Sequence, residues 1–111
     1  MNSLNKNFYD SSQKYLDNLH SSFSPEIIEK IENLAKHCLK CWESGKNIFI
    51  CGNGGSAANA IHIANDFLYG AGACGESPKL PGLKVEALTS NQAVLTCLAN
   101  DVGYENIFSH Q

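Results

Sequence analysis

Residues 48–62 read IFICGNGGSAANAIH, and this stretch decides the fold. Its apolar start predicts a short strand, the three glycines within residues 52–55 predict a turn, and a helix is predicted to follow from Ser56. A turn of this kind places backbone N–H groups, a hydroxyl and the positive end of a helix around one point. The stretch therefore predicts a cradle for a phosphorylated or polyhydroxylated ligand.

The glycine-rich turn also has a simpler interpretation, because glycine and asparagine are common in ordinary turns. Three glycines in four positions exceed what a strand-to-helix turn needs, which favours a binding loop. Asn53 can donate and accept hydrogen bonds, and Ser56 can cap the helix or bind a ligand oxygen. The spacing matches neither the Walker loop nor the dinucleotide-binding fingerprint.

One face of the predicted helix carries Asn59, His62 and Asp66, since residues four apart in a helix are neighbours. Carboxylate and imidazole groups are the usual proton carriers in an aldose–ketose isomerisation. The same two side chains could supply two ligands to a divalent metal ion. A plain hydrogen bond between His62 and Asp66 is the alternative, and their spacing alone leaves it open.

Composition limits the classes of function. The chain has 111 residues, of which 43% are hydrophobic and 17% charged, as expected for a folded core. A net charge of -3 gives no electrostatic basis for a nucleic-acid partner. No apolar run reaches the ~20 residues of a membrane span, and residues 1–8 lack the pattern of a signal peptide. A cytoplasmic protein with no membrane partner is expected.

The five cysteines are scattered over predicted helices, a strand and a loop. Cys38 and Cys41 have the spacing of a metal or redox motif, but no second cysteine or histidine pair follows at zinc-like spacing. We expect reduced, half-buried thiols, which agrees with a cytosolic location.

Strands alternate with helices along the chain, which predicts an α/β fold with a parallel sheet covered on both faces. Trp42 and Phe49 are expected in the core, Ser24 and Gly45 are expected to cap a helix, and Ser90 and Asn91 to cap another or face a ligand. No capping signal precedes Gln111, so we expect an N-terminal portion of a longer domain. The predicted helices are 5–20, 25–45, 56–69, 91–98 and from 104, the strands 47–51 and 84–88, the loop 70–82 and the turn 100–103.

Three motifs in order resemble the phosphoheptose isomerase group of the sugar isomerase (SIS) domain family. They are CGNGGSA at residues 51–57, His62-x-Ala64-x-Asp66, and LANDVGY at residues 98–104. The resemblance spans the chain and implies the N-terminal portion of a flavodoxin-like αβα sandwich with a parallel sheet, preceded by two helices. Residues 1–45 would form the N-terminal helices and residues 46–111 the start of the α/β core.

The resemblance also implies an activity, the isomerisation of sedoheptulose 7-phosphate to a glycero-manno-heptose 7-phosphate on the way to lipopolysaccharide or related glycans. It implies a homotetramer with active sites at subunit interfaces, and in some members a zinc ion. The family's Ser/Thr-rich phosphate loop and its distal Gln and His match no residue of this chain. The 111 residues alone are therefore expected to lack activity.

Site residues carry over position by position. His62 matches a metal ligand, and Asp66 falls where the family has a glutamate that serves as base, substrate contact and metal ligand. A non-catalytic SIS module that binds a sugar phosphate, or a protein such as a replication initiator, is the alternative; the carboxylate of Asp66 favours the enzyme. The positions that match substrate-binding residues are Asn53, Gly54, Gly55 and Ser56, with Asn100 and Asp101 in what the residues alone predict to be a turn.

Overall fold

The computed structural model describes residues 3–70 and 81–111. The chain divides into two compact units, Met1–His37 and Cys38–Gln111. The first unit contains helix α1, Ser3–Ser21, and the beginning of helix α2, Pro25–Glu43; the second contains the end of α2 and all later elements. The predicted division into residues 1–45 and 46–111 stays a prediction.

Both N-terminal helices form as predicted, and α2 has the predicted caps. The hydroxyl of Ser24 accepts a hydrogen bond from the N–H of Ile27 at 3.4 Å, as an N-cap does. At the other end Gly45 has a φ of 63°, and the N–H groups of Gly45 and Lys46 donate to the carbonyls of Trp42 and Cys41. This pair of bonds is the Schellman motif, which explains why α2 stops before the glycine.

The two strands form a parallel pair, as predicted. Strand β1, Asn47–Ile50, lies beside strand β2, Lys84–Ala87, with Asn47 opposite Lys84 and Ile50 opposite Ala87. Each strand is one residue shorter at its C-terminal end than expected. Because parallel strands need a crossover, helix α3, Gly55–Asn65, connects them.

The core of the second unit lies between α3 and one face of this sheet. Ala60 and Ala64 are the residues of α3 that are buried, since they face the strands. The indole N–H of Trp42 donates to the carbonyl of Pro81 at 2.7 Å and holds the end of α2 at the edge of this core. The other core residues are Leu83, Val85 and Ala87, with Cys38, Trp42, Ile48, Ile50 and Phe67 packed against them.

The opposite face of the sheet is open in the described residues. Phe49 is 57% exposed, so the expectation that it belongs to the core is wrong. Side chains alternate along a strand, and Ile48 and Ile50 take the face that packs against the core cluster. Phe49 and its register partner Glu86 consequently share the other face.

Later elements differ from the predictions at their ends. The helix expected to reach Tyr69 is α-helical only to Asn65 and continues as a π-helical turn, Asp66–Gly70. In that turn the carbonyl of Phe67 accepts a hydrogen bond from the N–H of Leu83, outside the helix. Most of the loop predicted over 70–82 lies outside the described residues.

Helix α4, Gln92–Asp101, begins where predicted, because the side chain of Asn91 accepts a hydrogen bond from Val94 N–H at 3.2 Å. It runs three residues past Leu98, so Asn100 and Asp101 lie in its last turn and the predicted turn over these two residues is wrong. The helix expected from Tyr104 is only a 3₁₀ helix, Tyr104–Asn106, followed by turns. None of the described helices is both long and apolar enough to cross a bilayer.

Candidate functional site

The loop after β1 is held against the start of α3 by a close backbone approach. A Cβ atom placed on Gly52 would lie 2.6 Å from the carbonyl carbon and the Oγ of Ser56. Only glycine fits at this distance. The close contact between Gly52 and Ser56 thus fixes the conformation of this loop.

Ser56 braces the loop. Its hydroxyl accepts a hydrogen bond from the N–H of Asn53 at 2.9 Å and donates to the carbonyl of Asn53 at 2.8 Å. Helix α3 begins at Gly55, with Gly54 as its N-cap at a φ of 56° and no side-chain cap. Of the two roles that Ser56 could take, a helix cap or a ligand contact, the structure excludes the cap. Its hydroxyl fixes the backbone of Asn53.

The N-terminus of α3 is open beside this brace. Among the described residues, the N–H groups of Gly54 and Gly55 have no hydrogen-bond acceptor. A Cβ atom placed on either glycine would meet nothing within 4 Å. Unpaired N–H groups at the positive end of a helix bind anions and other acceptors, provided that a ligand can reach them. The two predicted ligand contacts at Gly54 and Gly55 have the geometry for that role.

A cleft of ≈ 270 Å³ lies next to the loop. Asn53, Thr89, Thr96 and Tyr104 give it polar groups, and among the described residues no charged side chain lines it. A small cleft with neutral donors and acceptors suits a polyhydroxylated ligand. Its other lining residues are Gly52, Gly54, Ala57, Leu95, Ala99 and Ile107.

His62 and Asp66 form the predicted pair, with Nε2 of the imidazole 3.6 Å from Oδ2 of the carboxylate. Their side chains are 76% and 58% exposed. Because successive helix residues are turned by ~100°, His62 points about 200° away from the buried Ala60. The pair lies on the outward face of α3 and does not line the cleft. The structure thus brings these two residues together with each other but not with Asn53.

The donor set for zinc is incomplete in the described residues. A zinc site in a protein uses three or four protein ligands, and His62 and Asp66 supply two. Within residues 3–70 and 81–111 no group of three His, Cys, Asp or Glu side chains is placed to hold a metal ion. Cys38 and Cys41 carry free, half-buried thiols, as expected, and Cys51 and Cys97 are also free. These residues alone do not fit the predicted zinc ion.

Asn100 and Asp101 are engaged with each other rather than with the cleft. The Asn100 amide donates to Asp101 Oδ1 at 2.8 Å, and the Cys97 thiol donates to Asp101 Oδ2 at 3.3 Å. These two hydrogen bonds hold the pKa of Asp101 below its ordinary value of 3.8. The hydrogen bond from the Cys97 thiol to Asp101, together with the negative charge of Asp101, raises the pKa of Cys97 above its ordinary value of 9.0. A substrate contact by this pair of residues stays a prediction.

The coupling of Cys97 to Asp101 is expected to slow alkylation of the thiol. Since the thiolate is the nucleophile, replacing Asp101 with Asn should speed the reaction of Cys97 with iodoacetamide severalfold between about pH 8 and pH 9. Peptide-resolved mass spectrometry measures this rate, and Asp17→Asn in α1 is the control, expected to change nothing. Equal rates in Asp101→Asn and the parent would contradict the coupling.

Cys97 and Asp101 each make the stability of the protein depend on pH. Because the pKa of Cys97 is raised in the folded state, the group stabilises the protein below about pH 9, and this effect disappears as the pH rises through the folded-state pKa. Because the pKa of Asp101 is lowered in the folded state, this group stabilises the protein above about pH 3.8, and the effect disappears as the pH falls through the folded-state pKa.

Sequence reasoning missed Tyr104 as a site residue. Its hydroxyl donates to Oδ1 of Asn53 at 2.8 Å, across 51 positions of sequence, and its side chain lines the cleft. A signal was present, because Tyr104 ends the third motif of the resemblance, but the spacing of its residues gave no reason to pair it with Asn53.

Comparison with known proteins decides the family. Residues 8–111 match the family model of the SIS domain. The chain belongs to the SIS domain family. Curated relatives of this SIS domain include the phosphoheptose isomerase of Aneurinibacillus thermoaerophilus, 41% identical over 86 residues, which are 78% of this chain and 41% of the relative. That of Geotalea daltonii is 36% identical over 101 residues, 91% of this chain and 48% of the relative.

Solved structures agree with this assignment. The phosphoheptose isomerase of Neisseria gonorrhoeae superposes with a TM-score of 0.78 at 28% identity, over 98% of this chain and 53% of that one. That of Francisella tularensis gives a TM-score of 0.71 at 30% identity, over 100% of this chain and 55% of that one. The predicted family and fold class are thereby confirmed. The SIS domain described here spans about half the length of these relatives.

Proposed function

We propose that this SIS domain belongs to a cytoplasmic phosphoheptose isomerase, which interconverts sedoheptulose 7-phosphate and D-glycero-D-manno-heptose 7-phosphate for lipopolysaccharide or a related glycan. The observation that carries the proposal is the neutral cleft beside the open N-terminus of α3, in a chain similar to proteins of that name. The four cysteines within the described residues carry free thiols, which agrees with a reducing compartment.

The cleft is proposed to hold the sugar hydroxyls. Asn53 supplies an amide, and the N–H groups of Gly54 and Gly55 supply donors, while Ser56 fixes the backbone of Asn53. No charged side chain among the described lining residues is available to neutralise a phosphate. We propose that the phosphate is bound outside this cleft. Asn100 and Asp101 are further proposed substrate contacts.

Asp66 is the proposed general base. A ketose becomes an aldose when the proton on the carbon next to the carbonyl is removed and a proton is returned to the former carbonyl carbon, while the hydroxyl and carbonyl oxygens exchange their proton. An exposed carboxylate 3.6 Å from an imidazole can accept and return such a proton. His62 would orient the carboxylate. No step is assigned to zinc, because its donor set is incomplete among the described residues.

A homotetramer with shared active sites would explain why the proposed base lies outside the cleft. Ile61 and Ile63, which flank His62 on its two sides in α3, are 45% and 40% exposed, and exposed large apolar side chains often mark an interface. We propose that another subunit covers this face and completes the site. Light scattering of the purified protein measures the mass; a monomer would contradict this part of the proposal.

Incubation with sedoheptulose 7-phosphate tests the activity, using the protein that the complete gene encodes. We expect the aldose to form until equilibrium is reached, and the same equilibrium mixture to form when the reaction starts from the aldose. In deuterium oxide, NMR should show deuterium on the carbon next to the carbonyl, because the base exchanges its proton with solvent. If the sugar phosphate raises the melting temperature of the protein but is not converted, the protein is a binding module and the proposed isomerase activity is wrong.

A further inference from the structure

We infer that Tyr104 is a positioning residue, which fixes the side-chain amide of Asn53 so that the pair binds one hydroxyl group of the ligand. The identity of that ligand as a sugar phosphate rests on the proposed function. The orientation of Asn53 does not depend on it.

The argument starts from the hydrogen bond between the two side chains. Tyr104 donates its hydroxyl hydrogen to Oδ1 of Asn53 at 2.8 Å. An amide has one accepting oxygen and one donating NH₂ group, so this bond leaves the NH₂ group of Asn53 as the donor for a ligand. The phenol oxygen of Tyr104 has given its hydrogen and retains an accepting lone pair.

A donor and an acceptor side by side match a hydroxyl group. An alcohol accepts through its oxygen and donates its hydrogen, so one ligand hydroxyl can bind the NH₂ group of Asn53 and the oxygen of Tyr104 together. Both side chains line the same cleft, where the described residues supply no charge. The class of ligand group recognised here is therefore a neutral hydroxyl.

The backbone around Tyr104 is specified independently of Asn53. Gly103 has a φ of 94°, in the left-handed region that side chains rarely adopt. The Asn106 amide donates to the Val102 carbonyl at 2.7 Å, and Ile107 is only 4% exposed. Tyr104 is itself 60% exposed, so packing in the core does not explain its place.

A double-mutant cycle on the protein that the complete gene encodes tests the inference. Tyr104→Phe keeps the ring and removes the hydroxyl; loss of one hydrogen bond is expected to raise the Kd and KM for sedoheptulose 7-phosphate about 3- to 10-fold, with kcat little changed. In an Asn53→Ala background the same change should have a clearly smaller effect, because only the direct contact between the Tyr104 oxygen and the ligand is left to lose. Tyr9→Phe in α1 is the matched control and should behave like the parent. An equal loss in both backgrounds, or no loss in either, would overturn the inference.

A ligand-free measurement separates this inference from the proposed function. Tyr104→Phe should move the side-chain NH₂ resonances of Asn53 in the NMR spectrum of the free protein and leave those of Asn33 in place. Unmoved Asn53 resonances would overturn the positioning role. If the parent protein does not bind the sugar phosphate, the proposed function is wrong, and the Asn53 resonances alone decide the role of Tyr104.

Discussion

Replacing Asp66 with asparagine is expected to lower kcat of the proposed isomerase by about 10²- to 10⁴-fold, the usual contribution of a general base. Asparagine keeps the size of the side chain but cannot take up a proton at neutral pH. Because Asp66 is 58% exposed, the substitution should leave the free energy of unfolding nearly unchanged. Steady-state kinetics with sedoheptulose 7-phosphate measure kcat and KM separately.

Two further variants make the Asp66 experiment decisive. Asp66→Glu retains a carboxylate, and the family resemblance implies a glutamate at this position, so kcat should stay within about tenfold of the parent. Asp10→Asn, on the exposed surface of α1, removes a carboxylate of the same kind and should change nothing. Unimpaired turnover by Asp66→Asn would remove Asp66 from the mechanism.

Replacing Gly52 with alanine is expected to lower the free energy of unfolding by about 3 kcal/mol, at the upper end of the usual cost of overpacking. The new Cβ atom would lie 2.6 Å from the carbonyl carbon of Ser56 and 2.7 Å from its carbonyl oxygen. These are backbone atoms in the first turn of α3, which cannot move without shifting the helix. Urea unfolding followed by circular dichroism measures the loss.

Gly55→Ala is the matched control for Gly52→Ala. Gly55 is the first residue of α3, and a Cβ atom there would meet nothing within 4 Å. Alanine also restricts the unfolded chain more than glycine does, so this variant should gain about 0.5 to 1 kcal/mol. The opposite signs at two glycines of one loop would identify the contact with Ser56 as the cause. A Gly52→Ala protein as stable as the parent would contradict that contact.

The regular elements could be predicted because local signals specify them. Ser24, Gly45 and Asn91 cap their helices through bonds to residues within four positions, and such bonds depend only on nearby sequence. The parallel pairing of the two strands follows from the helix between them. Phe49 was misplaced for a different reason. An apolar strand residue indicates burial, but which face is covered depends on tertiary contacts.

The candidate site could be predicted only in part. The glycine loop is a contiguous motif, and its residues lie together as expected. Tyr104 was missed, because its bond to Asn53 joins distant parts of the chain, and such pairs have no periodic signal. The 3.6 Å contact of His62 and Asp66 follows from helical spacing, yet spacing gives no information on whether that face of α3 turns toward the cleft.

The neutral lining of the cleft has a consequence for selectivity. Attraction between full charges is long-ranged and weakens in salt, whereas hydrogen bonds to hydroxyl groups depend on direction and are nearly independent of ionic strength. Since no charged side chain of the described residues lines the cleft, this part of the site would discriminate sugars by the stereochemistry of their hydroxyl groups. Capture of the anion and choice of the sugar would then be separate tasks, performed by different parts of the protein.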